Sequence, residues 1–180
     1  KQHPSLNLYR NHCRAGGGKI FLDGSPQGKT AWLSKPYLIP PEDQEKGYCG
    51  LPLQSEKEAL AVMRGCLKNH WQLNAHANGD AAIEQMIDCY EAALRDTDRR
   101  EELRPVIIHC QTVREDQLKR MKQLGILPSF FLDHVYYWGD YHVSSVLGIE
   151  RGGFCLEAGN SLYSASGYAG CSAECSAFYP

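Results

Sequence analysis

The stretch Asn74-Ala75-His76-Ala77-Asn78-Gly79-Asp80 decides how this chain folds. It follows a short apolar run, Trp71-Gln72-Leu73, and precedes apolar residues at helical spacing: Ile83, Met86, Ile87, Tyr90 and Leu94. A His closing a strand, with Gly and Asp opening a helix, reads as a strand-to-helix turn with a candidate ligand at its tip. Asp80 is placed to cap that helix. The same arrangement recurs at Val106-Ile107-Ile108-His109-Cys110-Gln111, with the two His 33 residues apart, about one βα unit. Two successive parallel strands that each end in His can aim both imidazoles at one point, which is the geometry of a metal site.

The neighbouring segments extend this pattern in both directions. Ser55-Glu56-Lys57-Glu58 fits a capping box, and Ala59, Val62, Met63, Cys66 and Leu67 continue it at helical spacing. Residues 113–124 read as a helix with Leu118, Met121 and Leu124 on one side and Gly125 as its terminator. A strand is expected over 126–132. Upstream, Lys19-Ile20-Phe21-Leu22 is a short strand stopped by Asp23-Gly24-Ser25-Pro26. Residues 24–54 carry five Pro and no sustained period, which predicts a long loop of the functional or disordered kind. The order β-loop-α-β-α-β-α-β implies a parallel sheet covered by helices, with functional residues at the C-terminal ends of the strands. Three regions are expected: a polar, Gly-rich leader over 1–17 with a flexible Gly16-Gly17-Gly18 connection, one α/β unit over 18–151, and an atypical Cys/Ser/Gly-rich tail over 152–180.

Composition narrows the function classes. The chain has 180 residues, 43% of them hydrophobic and 22% charged, enough for one ordinary core. A net charge of −2 gives no steering field toward nucleic acid or an anionic membrane surface. No run is apolar enough to span a bilayer. The eight Cys include Cys66 and Cys89 within helical patterns and Cys110 after a buried strand. Free buried thiols and a cytoplasmic location are therefore expected. Cys171 and Cys175 are spaced CxxxC without a matching pair, a weak zinc signal.

His76 and His109 suit Zn²⁺, Fe²⁺ or Mn²⁺ through neutral imidazole nitrogens. Either alone is more simply a structural His; two at the same topological position favour a ligand role. Lys19 is a third candidate. Its bland reading is a surface Lys, whereas a buried one could take up CO₂ as a carbamate and bridge two metals. Asp23 could contact a ligand or simply bond its own turn. His134, Tyr136, Tyr137, Trp138, Asp140 and His142 form an aromatic, His-rich loop after the fourth strand, suited to a substrate wall or to ordinary packing.

Four motifs in order then carry a family resemblance: Lys19-Ile-Phe-Leu-Asp23-Gly-Ser-Pro-Gln-Gly-Lys-Thr30-Ala, His76-Ala-Asn-Gly-Asp80-Ala-Ala, Ile108-His109-Cys-Gln111, and Leu127-Pro-Ser-Phe-Phe131 with Trp138-Gly-Asp140. Over about residues 18–151 the chain resembles the amidohydrolase 3 family, relatives of N-substituted formamide deformylase among the metal-dependent amidohydrolases. The resemblance implies a partial (β/α)₈ TIM-type barrel, about strands 4 to 7 of the family barrel. It implies His76 and His109 as metal ligands of the fifth and sixth strands, and Lys19 as the fourth-strand residue that can be a carboxylated bridge. Asp23 and His134 are the expected substrate contacts. The implied cofactor is a divalent metal, zinc first, as one or two ions. The implied reaction is hydrolysis of a non-peptide carbon–nitrogen bond in a small amide or formamide, with the metal activating water and polarising the carbonyl.

The chain departs from the family in two places. The first-strand His-x-His pair and the eighth-strand Asp, the expected general base, are both absent from this sequence. The expectation is thus an internal piece of a longer enzyme, inactive by itself, with residues 152–180 arising from a changed reading frame or artificial end. A non-catalytic metal-binding or interaction module derived from the same fold is the alternative. A small doubly wound α/β protein with an unrelated ligand is a third reading, one in which His76 and His109 do not converge.

Overall fold

The computed structural model describes residues 8–9, 11–96, 103–131 and 133–151. The tail over 152–180, with Cys155, Cys171 and Cys175, and most of the linker over 95–104 lie outside the described residues. Four strands alternate with helices: β1 (Gly17–Phe21), α1 (Glu56–Asn69), β2 (Gln72–Ala77), α2 (Asp80–Arg95), β3 (Val106–His109), α3 (Glu115–Leu124), β4 (Leu127–Phe130) and α4 (Asp133–Tyr141). A π-helical turn, His142–Val146, extends α4. All strands are parallel and lie in the order β1-β2-β3-β4. Consecutive βα units side by side in sequence order are the arrangement of a (β/α)₈ barrel, here in part. Gly17 and Gly18, expected as flexible connection, pair with Gln72 and Leu73 in the first strand.

The alternation of burial shows which face is covered. On β2, Leu73, Ala75 and Ala77 are buried against the helices, while Gln72, Asn74 and His76 are only partly covered. The core joins these strand residues to the inner faces of α1 and α2, including Met63, Leu67, Ile83, Met86 and Ile87. The capping box forms as expected: the Ser55 hydroxyl accepts from the Glu58 amide, and the Ser55 amide donates to the Glu58 carboxylate at 2.9 Å. Gly125 ends α3 at φ 68°, in the left-handed region. Cys13, Cys49, Cys66, Cys89 and Cys110 are free thiols, the last three buried.

Two expectations are corrected. Asp80 does not cap α2: Gly79 is the N-cap and makes no side-chain bond. The Asp80 carboxylate accepts instead from the Ser34 amide at 2.9 Å, the Ser34 hydroxyl and the Arg114 guanidinium at 3.1 Å. It fastens the long loop and α3 to the start of α2. The His-rich segment after β4 is not a loop but α4 and its π turn.

Residues 24–54 contain no helix or strand, as expected, and they are ordered by their own bonds. Leu33 donates to the Cys49 carbonyl at 2.7 Å, Tyr37 to the Tyr48 carbonyl at 3.0 Å, and the Tyr37 hydroxyl to the Ala31 carbonyl at 2.7 Å. The loop also presses on the His76 turn. A Cβ on Gly79 would sit 1.8 Å from the Trp32 carbonyl oxygen, so only glycine allows that approach. Leu38 and Ile39 donate to the carbonyls of Val146 and Ser145, tying the loop to the π turn.

Candidate metal centre

The strand ends meet as the sequence pattern requires. Phe21, His76, Ile108 and Ser129 are partners across the sheet, and Lys19, Asn74, Val106 and Leu127 form the row two residues earlier, roughly 7 Å down the strands. His109 pairs in register with Ala77, so simple alternation would turn it toward the helices. Its backbone instead adopts φ 73°, followed by Cys110 at φ 51°. This left-handed step, costing about 1–3 kcal/mol for a non-glycine residue, brings its ring centre to 4.8 Å from that of His76, edge-on. Such strain persists where the surrounding structure imposes it, and it clusters at functional sites.

Both rings are conditioned for ligation. Burial, then the neighbouring His76, His134 and Lys19, push the His109 pKa down to about 4, so its imidazole is neutral near pH 7 with a lone pair to offer. His76 Nε2 lies 3.1 Å from the Gly24 carbonyl oxygen and 3.1 Å from Asn78 Nδ2. With the proton on Nε2 and directed at Gly24, Nδ1 keeps its lone pair free, a common way of presenting a His to a metal. Asn78 Oδ1 is buried and has no hydrogen-bond partner among the described residues. An orphaned oxygen beside His76 fits a cation nearby.

The remaining candidates are placed as follows. The Asp23 carboxylate is 1% exposed and accepts from three backbone amides: Asn78 at 2.9 Å, Gly79 at 2.7 Å and Trp32 at 3.0 Å. It holds the strand-to-helix turn and the loop together, with His76 Nε2 a further 3.8 Å away. Burial raises its pKa and those amides oppose the rise. Lys19 is on the same face as His76 and is exposed, as in the bland reading; its ammonium lies 5.1 Å from the Phe21 ring centre, and partial burial lowers its pKa. His134 is buried, with its ring centre 6.3 Å from that of His109 and 5.0 Å from that of Phe131. Among the described residues, no three His, Cys, Asp or Glu side chains converge as a metal site.

Comparison with known proteins bears on the family and the fold. The profile of the amidohydrolase family Amidohydro_3 matches residues 4–157. The chain belongs to the amidohydrolase family. It is 31% identical to Protein LONG AFTER FAR-RED 3 of Arabidopsis thaliana over 76% of this chain and 22% of that protein. It is 26% identical to the putative amidohydrolase YtcJ of Bacillus subtilis over 62% of this chain and 19% of that protein. Two solved structures of uncharacterized metal-dependent hydrolases superpose on 80% of it. The one from Pyrococcus furiosus has TM-score 0.65 and 29% identity, and the one from Pyrococcus horikoshii OT3 has TM-score 0.64 and 27% identity. The chain covers 28% and 27% of those structures, so it spans about a quarter or less of the relatives it matches.

For this amidohydrolase-family chain, sequence reasoning missed Asn78, whose amide lies against His76 and whose main-chain N–H is bound by Asp23. The signal was present in His76-Ala-Asn78-Gly-Asp80: a side-chain amide two residues past a strand-end His can reach back to its ring. An imidazole pair with a lysine on the same face is a donor set suited to a divalent transition metal.

Proposed function

We propose that this chain supplies the middle part of the metal centre of a hydrolase acting on non-peptide carbon–nitrogen bonds, in small amides or formamides. The observation that carries the reading is the His76–His109 pair: two ring centres 4.8 Å apart on adjacent strand ends, one ring held in place by left-handed backbone. The family and the metal-dependent hydrolase neighbours support hydrolase chemistry in general; the substrate class, zinc as the metal and Lys19 as a carboxylated third ligand are our reading.

When bound, a divalent ion supplies Lewis acidity toward an amide carbonyl and a water. The chain's own residues do the positioning. The Gly24 carbonyl, accepting from Nε2–H, orients His76, and Asn78 Nδ2 donates to the same carbonyl at 2.7 Å. Asp23 locks the turn that carries it. His134 and Phe131 wall the mouth beside His109, where a substrate side chain would lie. At this centre the chain offers the imidazoles of His76 and His109 and the amine of Lys19, and the eighth-strand Asp that the resemblance implies as general base is not in this sequence. We therefore read the chain alone as binding an ion without turnover, the remaining ligands belonging to other strands of a complete barrel. The near-neutral charge and buried free thiols support a cytoplasmic protein with a small-molecule substrate and no nucleic-acid or membrane partner. No described helix is long and apolar enough to cross a membrane.

Zinc titration of the chain tests the first half of this reading. Wild type binds Zn²⁺, and His76→Asn and His109→Asn each weaken that binding at least tenfold. Formate or amine release from N-formyl and N-acyl amides tests the second half, and requires a polypeptide of the relatives' length. An unchanged affinity in both variants would sink the metal assignment. The alternative of a non-catalytic metal-binding module rests on the absence of a convergent three-residue site among the described residues, and predicts ion binding without turnover even at full length.

A further inference from the structure

Beyond the pair just described, a row of imidazoles continues away from it. The ring-centre spacings are 4.8 Å from His76 to His109, 6.3 Å from His109 to His134, and 5.7 Å from His134 to His142. Two imidazoles on one tetrahedral zinc, each at about 2.0–2.1 Å, have ring centres about 5 Å apart. The row therefore divides at its widest gap into two pairs, each close to the spacing that a shared ion demands. We propose that His134 and His142 form a second cation site, holding one exchangeable transition-metal ion of the zinc or cobalt type beside the His76–His109 centre.

An independent observation points to a ligand there. His142 is 8% exposed, and its Nε2 is buried with no hydrogen-bond partner among the described residues. A buried imidazole nitrogen left without a partner is destabilising, and a metal ion or the water it carries would satisfy it. Burial, then the neighbouring His134, lower the His142 pKa, which leaves the ring neutral and able to ligate. The site is also held rigidly. His142 opens the π-helical turn His142–Val146, an element that recurs at functional sites. That turn is clamped by Leu38 donating to the Val146 carbonyl at 2.9 Å and Ile39 to the Ser145 carbonyl at 3.0 Å. Leu33, Tyr37, Val146 and Leu147 pack together behind it. Two protein ligands leave the other coordination positions to water or substrate, so the ion exchanges freely.

Equilibrium dialysis of the full chain against Co²⁺ or Zn²⁺, with metal analysis, reads the stoichiometry. The expected result is two ions per wild-type chain, one per chain in His142→Gln and in His134→Gln, and one in His76→Asn. In the His142→Gln protein, the second equivalent weakens at least tenfold. Far-UV circular dichroism checks folding, and a wild-type measurement covers a variant that fails to fold: in ¹⁵N-histidine NMR, ring nitrogens of His134 and His142 shift with one equivalent, those of His76 and His109 with the other. Two ions retained by His142→Gln, or ring shifts confined to His76 and His109, overturn the proposal. An ion bound only by His134 and His142 would support it while removing the His76–His109 assignment, so the two readings fail separately.

Discussion

The two faces of one sheet do different work, and β3 shows it in adjacent residues. Ile107 is fully buried against the helices, while Ile108, in register with His76, lies on the partly covered side. On β2 the same division sets Leu73, Ala75 and Ala77 against Gln72, Asn74 and His76. The helix side is packed with apolar residues and carries the stability. The open side carries Lys19, His76, the swung-over His109, and exposed Phe21 and Leu127. In a barrel, this second face points at the lumen and mouth, where side chains from other strands would complete it.

The sharpest way to break that comparison is to truncate both isoleucines. Ile107→Ala empties a fully buried position and is expected to cost about 2–5 kcal/mol. Ile108→Ala is expected to cost about 1 kcal/mol or less, since a partly exposed side chain loses less transfer energy and leaves no closed cavity. Chemical denaturation of the two variants measures the difference. Equal losses would mean that the open face is packed as tightly as the covered one.

A second, somewhat smaller effect tests whether the long loop belongs to the packed side. Gly79→Ala drives a methyl group into the Trp32 carbonyl, and overpacking of this kind costs about 1–3 kcal/mol. The expected outcome is lower thermal stability together with weaker ion binding, because the same turn carries His76 and is held by Asp23. Full stability in Gly79→Ala would show that residues 24–54 lie loosely on the domain.

Acid should act mainly through the buried imidazoles of the chemical side. His109 and His142 have folded-state pKa values lowered to about 4, from 6.5. A lowered value means that the unfolded chain binds more protons between those limits, so stability rises with pH across that window and is lost as pH falls from about 6.5 to 4. Metal-free protein is expected to lose several degrees of Tm over that interval. His142→Gln should flatten the slope. An unchanged slope in that variant would mean that His142 does not contribute.

Much of the packed side was legible in the sequence, because its signals are local. The Ser55 capping box, the Gly125 terminator and the stripes of α1 and α2 each lie within a few residues of their effect. The strand-end histidines were legible from repeated topology. What escaped was set by distant partners or by a missing period. Asp80 looks like a cap because the sequence shows the helix start but not Ser34 or Arg114, which claim its carboxylate. The segment forming α4 hides its helical period in sequence: Tyr136 and Tyr137 are 85% and 71% exposed while His134 and His142 are buried, which inverts the usual amphipathic stripe. The left-handed step at His109 has no signature at all in a residue that rarely adopts it.

That step offers the finest test of how the two faces differ. If the His109 backbone is strained to serve the open face, replacing its side chain with hydrogen should relieve the strain. His109→Gly gains the left-handed conformation without a Cβ penalty, and the extra freedom of glycine in the unfolded chain takes back about 0.4–1 kcal/mol. Against a strain of about 1–3 kcal/mol, the net change is expected to be a gain of about 1 kcal/mol, alongside at least tenfold weaker zinc binding. His109→Ala separates the two effects: it loses the ligand but keeps the strain, so it should weaken zinc equally without the gain. A stability loss in His109→Gly as large as that in Ile107→Ala would place His109 with the packing residues, and the division between the faces would then stop short of the strand ends.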